Sequence, residues 1–421
     1  MASNAQYQHF IPQFMLKNFS HPFVCLDGGS PDKKCKKHNH KKGKYPGDAV
    51  MNSVDLMLDP FIIEESPVSR TCGLWDMYDD VTKSNPNEKR NIEKKFSALE
   101  AEKDVLRKFT FILRYRGSGL HKQYHHEDVE TYNDKNQHLL RSYMKQRGFA
   151  RPFNVWLHNL ETMIDLEMDP GMYLTICTPA ELNEEFILTE NSYNVWEGPN
   201  RWDHDPTTGE STRVGALDLH EFAPVSPKLM LVSRSNLLPE ALGGSNPKAR
   251  AERESEWQAR LKGIFDPNTK SMLHDLPVGK ARNDYSAMVN GRIEIKPDWD
   301  GKLRNTDRFY FPFFRIPTSD VQKINGLLLD RAFNSSRIMF GHQNSLLDLL
   351  QWFLEEPCEV GKRIESESAD RQIKYLKNLG ELVKSLGQDV NPVWIEPPTT
   401  TAEDMEIFKL MERLMRGGLD L

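Results

Sequence analysis

Glu185-Phe186-Ile187-Leu188-Thr189 and Lys228-Leu229-Met230-Leu231-Val232 are the two runs on which the fold turns. Each is short, nearly continuous in apolar residues and set among turn formers. Together they read as a buried pair of strands. The residues between them, around Asp203 to Gly209, read as a turn-rich hairpin or loop.

Upstream of this pair, Ala49 to Glu64 carries Val50, Val54, Leu56, Leu58, Phe61 and Ile63 in partial alternation, which predicts two short strands. From Asn91 to Arg116 the period changes. Ile92, Phe96, Leu99, Leu106, Phe109 and Leu113 recur at three, four and seven residues, the stripe of an amphipathic helix ended by Gly117-Ser118-Gly119. Two more helices are predicted near Val129–Arg147 and Phe153–Glu167, with Pro152 as a start signal.

Downstream, Ala241–Arg250 is polar and rich in small residues, a candidate mobile excursion. Pro312 confines Phe309-Tyr310-Phe311-Pro312-Phe313-Phe314 to an edge strand or a loop. Thr318-Ser319-Asp320 reads as the cap of a helix through Ile324, Leu327 and Ala332, and further helices are expected near Ser345–Glu355, Ala369–Leu386 and Ala402–Met415. Strands do not alternate regularly with helices. The expected class is therefore α+β, mainly helical with a small mixed or antiparallel sheet, rather than a Rossmann arrangement. Residues 1–340 are expected to form one domain, with a basic loop at 30–45, and 341–421 a helical extension.

The bulk numbers fit an ordinary globular protein: 421 residues, 38% hydrophobic, 28% charged and a formal charge of −6. A nucleic-acid surface on such a chain would have to be a local patch. The first eight residues have neither the basic nor the apolar region of a secretory signal, and no run of about eighteen apolar residues appears. Cys25, Cys35, Cys72, Cys177 and Cys358 are scattered and odd in number, as suits reduced thiols. These features point to the cytoplasm, with the nucleus as the alternative.

Motifs for dinucleotides, P-loop phosphates, zinc proteases and serine hydrolases are missing, and no cofactor is expected. Cys25, Cys35, His38 and His40 form a poor zinc pattern, because the two histidines lie only two positions apart amid lysines. That lysine cluster (Lys33, Lys34, Lys36, Lys37, Lys41, Lys42 and Lys44) reads either as a solvated loop or as a phosphate-binding patch. Glu93, Glu100, Arg107 and Arg114 fall seven apart, a second stripe drifting by about 20° per heptad beside the apolar one, with Arg116 at the helix end. The stripe either pairs its own charges or lines a polar cavity, where the carboxylates would bind a cationic group. Glu190 and Asn191 follow a strand and would serve as base and hydrogen-bond donor, or simply close a turn. His9 lies in an aromatic, apolar segment and reads first as a satisfied core residue carrying a neutral imidazole.

Gln8-His9-Phe10-Ile11-Pro12-Gln13-Phe14-Met15-Leu16-Lys17-Asn18-Phe19 resembles the His-x-x-Pro-x-Phe/Tyr-x-Leu-x-x-Phe opening of domain-of-unknown-function family 4238. Further landmarks follow in the family's order. They are the Glu93/Glu100 helix, Leu113-Arg114-Tyr115-Arg116, Phe186 to Asn191, Pro224-Val225-Ser226-Pro227-Lys228, and the helix with Asn325 and Ala332. In many relatives the strand ends in Thr-Ser-Asp-Asn, where this chain has Thr189-Glu190-Asn191. The likeness spans about residues 7 to 340. Gly43-Lys44-Tyr45 and Pro67-Val68-Ser69-Arg70-Thr71 look like the fungal branch, and within it the sequence is similar to the arginine-containing cyclodipeptide synthases.

That resemblance implies an enzyme joining an arginyl and a second aminoacyl group, both taken from aminoacyl-tRNAs, into a diketopiperazine. It would place His9, Glu190, Asn191 and Ser226 at the reacting centre, with Ser226 or Ser192 as nucleophile should a covalent intermediate form. Glu93, Glu100, Arg114 and Arg116 would hold substrate, and the lysine loop would hold tRNA. Two other classes fit the same residues. One is a metal-dependent, nuclease-like enzyme using His9, Glu190 and Asn191; the other is a non-catalytic, partner-binding module.

Overall fold

The structure, a computed structural model, describes residues 7–9, 11–24, 44–75, 172–190, 195–198, 200–204, 211–216, 219–235, 238, 251, 255, 258–259, 262, 271–277, 282–283, 286–289, 292–300, 309–310, 313–364 and 368–396. In the first part of the chain these residues form β1 (Tyr7–His9), α1 (Gln13–Asn18), β2 (Ser20–Pro22), β3 (Ala49–Asp55), β4 (Ile62–Pro67) and β5 (Gly73–Trp75). The middle holds β6 (Met172–Pro179), β7 (Leu188–Thr189), β8 (Val195–Glu197), β9 (Asn200–His204), β10 (Ser211–Ala216), β11 (His220–Ser226) and β12 (Leu229–Ser235). Then come β13 (Arg282–Asn283), β14 (Ser286–Val289), β15 (Arg292–Ile295), β16 (Phe309–Tyr310) and β17 (Phe313–Ile316). The last part contains α2 (Thr318–Arg331), β18 (Arg337–Phe340), α3 (Gln343–Glu355) and α4 (Ala369–Ser385).

Two five-stranded sheets organise the fold, in the orders β17-β6-β12-β11-β8 and β2-β3-β18-β7, with β4 also pairing β3. Four two-stranded ladders, β1-β5, β9-β10, β13-β16 and β14-β15, complete the described strands. The chain is thus of mixed α and β class with small open sheets. The helices expected within 91–167 and 402–415, and the excursion at 241–250, lie outside the described residues.

The expected pairing of the two apolar runs is replaced by a different arrangement. Residues 229–232 do enter a strand, β12, but its neighbours are β6 and β11. The other run contributes only Leu188 and Thr189 to a ladder, and it does so in the second sheet, antiparallel to β18. Glu185 to Ile187 leave the ladder because their backbone groups find other partners. Asn325 Oδ1 accepts from Ile187 N–H at 3.1 Å, Asn325 Nδ2 donates to the Glu185 carbonyl at 2.7 Å, and Phe186 N–H donates to Pro227 O at 2.8 Å. A buried segment needs its backbone paired but does not need a sheet to do it.

Other expectations are met more directly. β3 and β4 fall within or beside Ala49–Glu64 and pair antiparallel from Val50↔Pro67 to Asp55↔Ile62. β17 is an edge strand parallel to β6, starting just past Pro312. α2 begins at Thr318 itself, with Pro317 at the N-cap and no side-chain cap bond, so Thr318-Ser319-Asp320 is its first turn rather than its cap.

The larger core joins Phe222, Met230 and Val232 of the first sheet to Val54, Ile338 and Phe340 of the second. α2, α3 and α4 cover it through residues such as Ile324, Leu328, Leu350, Phe353, Leu379 and Val383. A second cluster seats the N-terminal segment: Ile11, Met15, Leu16 and Phe19 pack on Met51, Val68, Leu188, Ala223, Leu231 and Met339. Met15 and Leu16 are fully buried, each contributing about 1.5–3 kcal/mol. Phe14, by contrast, faces outward. Among the described residues no helix is long and apolar enough to cross a membrane.

Candidate functional site

α1 carries the N-terminal motif onto the sheets, and His9 fastens it there. β1 pairs with β5 so that His9 faces Gly73. The buried ring donates from Nε2 to Val68 O at 3.0 Å, while Nδ1 lies 3.2 Å from Gln13 Nε2. Because a carbonyl only accepts, Nε2 carries the proton; Nδ1 then accepts from the Gln13 amide, which describes a neutral imidazole. Val68 opens the short 3-10 turn of Val68–Arg70, so the His9 motif meets the Pro67-to-Thr71 landmark here. Thr71 closes that turn by donating from Oγ1 to Pro67 O at 2.7 Å.

Past the turn, Cys72 adopts a left-handed backbone (φ 55°), an uncommon conformation for a residue with a Cβ. Burial pushes its thiol well above the ordinary range; the Glu190 charge pushes the same way and Arg337 opposes both. Cys72 therefore lies within the fields of both residues, and segments near 9, 72, 190 and 337 converge.

Glu190 sits at the end of β7 and is buried. Its Oε2 accepts from Ser336 N–H at 2.7 Å, and its Oε1 accepts from the Ser336 hydroxyl. The next residue, Arg337, opens β18 opposite Asp55 of β3. Its Nη1 donates to Glu64 Oε1 (2.6 Å), Ser66 Oγ (2.8 Å) and Ser53 Oγ (3.2 Å), and its Nη2 to Asp55 Oδ2 (3.0 Å). Burial raises the Glu64 carboxyl, but the hydrogen bonds from Arg337 and Ser66 outweigh it, and the group ends below the usual carboxylate range. Two carboxylates, Asp55 and Glu64, thus share one guanidinium, while Glu190 holds the adjacent Ser336. The Glu64 side chain is 37% exposed, so the group opens to the surface.

A second polar group lies at the other end of β18. Glu185 is buried, yet its carboxylate reaches exposed His342: Oε1 is 2.6 Å from Nδ1, and Oε2 accepts the His342 N–H at 2.8 Å. Lys228 places Nζ 3.7 Å from the same carboxylate and donates to Leu182 O at 2.7 Å and to Glu184 O. At Gly341, between strand and helix, a Cβ would lie 2.5 Å from Glu185 Oε2, so any side chain there would displace the carboxylate. Ser226 stands close by in the chain, its Oγ accepting the Lys228 N–H at 3.2 Å.

The structure therefore brings His9 opposite Gly73, next to Cys72, sets Glu190 near enough for its charge to act on the Cys72 thiol, and sets Ser226 beside the Lys228 turn. Lys44 is half-buried, with Nζ 5.8 Å from the Phe23 ring centre, and its charge helps lower the Glu64 carboxyl. Glu93, Glu100, Arg114, Arg116, Asn191, Ser192, Lys33, Lys34, Lys36, Lys37, Lys41 and Lys42 lie outside the described residues, as do Cys25, Cys35, His38 and His40. Among the described residues no three His, Cys, Asp or Glu side chains group to hold a metal ion. Sequence reading passed over Asp55, Glu64, Glu185, Arg337 and His342. The available signal was positional: Arg337 opens a strand, and Gly341-His342 forms the junction from that strand to a helix.

No curated protein and no solved structure matches this chain. The family described as "Protein of unknown function (DUF4238)" matches residues 7–102 and 99–344, most of the chain. Both polar groups and the N-terminal latch fall within those limits, and the chain belongs to the DUF4238 family.

Proposed function

We propose that this chain is a tRNA-dependent cyclodipeptide synthase of fungal secondary metabolism, which joins an arginyl group and a second aminoacyl group from aminoacyl-tRNAs into a diketopiperazine in the cytoplasm. The observation that carries this reading is the pair of carboxylates, Asp55 and Glu64, on the single guanidinium of Arg337, a surplus of negative charge in a group open at Glu64. Such a surplus suits a second guanidinium, since Arg and carboxylate pair through two parallel hydrogen bonds. The substrate esters are already activated, so the chemistry requires orientation of an α-amine, a proton acceptor and stabilisation of an oxyanion.

In this reading residues 1–340 form the catalytic unit of a mainly helical chain and 341–421 a helical extension. Lys33 to Lys44 hold tRNA phosphates, and Glu93, Glu100, Arg114 and Arg116 complete the substrate pocket with Asn191. His9 acts by positioning, since both ring nitrogens have protein partners. Ser226 remains the candidate nucleophile for a covalent path. Incubation with arginyl-tRNA and a panel of other charged tRNAs should release cyclo-Arg-Xaa; no cyclodipeptide from any pair rejects the proposal.

One observation favours a second reading, a non-catalytic partner-binding module. The polar atoms of His9 and the carboxylate oxygens of Glu190 are engaged by the protein itself. On that reading Glu190→Gln leaves cyclodipeptide release at the background of the wild type, and His9→Ala lowers stability alone.

A further inference from the structure

We infer that His342, aimed by Glu185, is the proton acceptor of a catalytic dyad at the C-terminal end of β18, a role that rests on the acyl-transfer reading above. Glu185 Oε1 lies 2.6 Å from His342 Nδ1, and a carboxylate can only accept, so Nδ1 carries the proton. In the neutral ring the lone pair is then on Nε2, on the side away from Glu185. The His342 side chain is 80% exposed while that of Glu185 is 4% exposed. A buried anion thus orients an accessible imidazole, which is the relationship a general base requires.

The surrounding structure fixes this geometry from several sides. Oε2 of the same carboxylate holds the His342 backbone N–H, so ring and main chain are gripped by one group. The Glu185 carbonyl is held by Asn325, and the Lys228 ammonium balances the carboxylate charge. Gly341 admits the carboxylate where any side chain would collide with it.

A purely structural role accounts poorly for the imidazole. His342 occupies the N-cap of α3, where Ser, Thr, Asp or Asn would bond the first turn, yet it makes no side-chain cap bond. Its ring is given to Glu185 instead. Two of the ordered sequence landmarks, Lys228 and Asn325, meet at this residue, one at its carboxylate and one at its backbone carbonyl.

In the reaction, the α-amine of one aminoacyl group attacks the ester carbonyl of the other. An N–C bond forms, and the amine proton passes to His342 Nε2. The ester C–O bond then breaks, and the departing ribose oxygen takes that proton back. The second amide closes the ring in the same way, with the remaining amine and ester, leaving two free tRNAs and no net change in the dyad. Glu185 is a positioning residue, acting through His342.

The test uses the full chain. With arginyl-tRNA and a second charged tRNA, His342→Gln should lower kcat about 10²- to 10⁴-fold while the Kd for tRNA and the melting midpoint stay unchanged. Glu185→Gln should lower kcat as well, and in ¹⁵N-histidine spectra it should erode the Nδ1–H tautomer that dominates the neutral wild-type ring. A His342→Gln enzyme within twofold of wild type, or a wild-type ring protonated on Nε2 in its neutral form, overturns the inference. Failure of the synthase reading looks different: the wild type releases no cyclodipeptide, and the proton-acceptor role falls with it even where the spectra show the Nδ1–H tautomer.

Discussion

Asn325 grips the backbone on both sides of Phe186, accepting from Ile187 N–H at 3.1 Å and donating to Glu185 O at 2.7 Å. One side chain on α2 thereby replaces the ladder bonds that a strand partner would have supplied. Asn325 is itself buried, so neither backbone group has water to turn to when it is lost.

Asn325→Leu should therefore cost about 2–4 kcal/mol, from two buried groups left without partners. Asn325→Asp keeps the acceptor but sets a carboxylate against the Glu185 carbonyl, and should cost at least as much. Urea denaturation measures both. A change under about 0.5 kcal/mol for Asn325→Leu would mean that the 185–187 backbone has another way to pair.

Arg337 ties β3, β4 and β18 through Asp55, Glu64, Ser53 and Ser66. Arg337→Leu should cost about 1–3 kcal/mol at pH 7, less than a fully buried pair because the group is partly open. The Glu64 carboxyl is held below its ordinary range in the folded chain. It therefore contributes stability above its unfolded value of about 4.3, and that contribution is lost as pH falls through the lowered folded value. The gap between wild type and Arg337→Leu, followed by denaturation from pH 7 to 3, should narrow at the acid end.

His220 behaves in the opposite protonation sense. It is fully buried, with Nδ1 2.7 Å from Glu197 Oε2; that oxygen also accepts from Ser271 Oγ at 3.0 Å, and Glu197 Oε1 accepts from Met272 N–H at 2.9 Å. Burial pushes the imidazole below its ordinary value, overcoming the pull of Glu197, and the Arg234 charge adds to the lowering. We read a neutral ring donating from Nδ1. Below about pH 6.5 the unfolded chain binds a proton that the folded chain resists, so stability falls as pH drops from there toward the lowered folded value. The stability difference between wild type and His220→Gln isolates this group from the other histidines, and it should change with pH between about 7 and 5. A flat difference would mean an unshifted ring, and one that increasingly favours the wild type as pH falls would place a charged ring at His220.

Leu16 and Cys72 belong to the same buried cluster. Leu16→Ala should cost about 2–5 kcal/mol and speed modification of Cys72 by thiol reagents. Cys177, whose thiol burial pushes up to about 12, should stay unmodified in the native protein at neutral pH. Mass spectrometry of pulse-labelled protein distinguishes the two cysteines, and rapid native labelling of both would contradict the packing described.

Local pattern was a good guide wherever a residue's neighbours in sequence decide its environment. The burial of Ile11, Met15, Leu16 and Phe19, the β3/β4 pair, the edge strand after Pro312 and the helices α2, α3 and α4 all follow from periodicity and turn chemistry. His9 was legible as a satisfied core histidine for the same reason. The polar groups around Arg337 and Glu185 were not, because their members come from positions as distant as 53, 64 and 337, or 185, 228 and 342. A lone Arg at a strand start or a His before a helix carries no local mark of its partner.

By itself, then, the sequence determined which segments are buried, where α2, α3, α4 and a minority of the described strands run, and to which family the chain belongs. Each of these depends on short-range periodicity or on ordered motifs. Tertiary structure alone decided that the 185–189 run leaves β12 for a different sheet, with Asn325 as its partner. It also decided that Glu185 meets His342. Hydrophobic pattern says that a segment must be buried, but not which of several polar side chains will satisfy its backbone. That choice is made only when separate elements pack against each other.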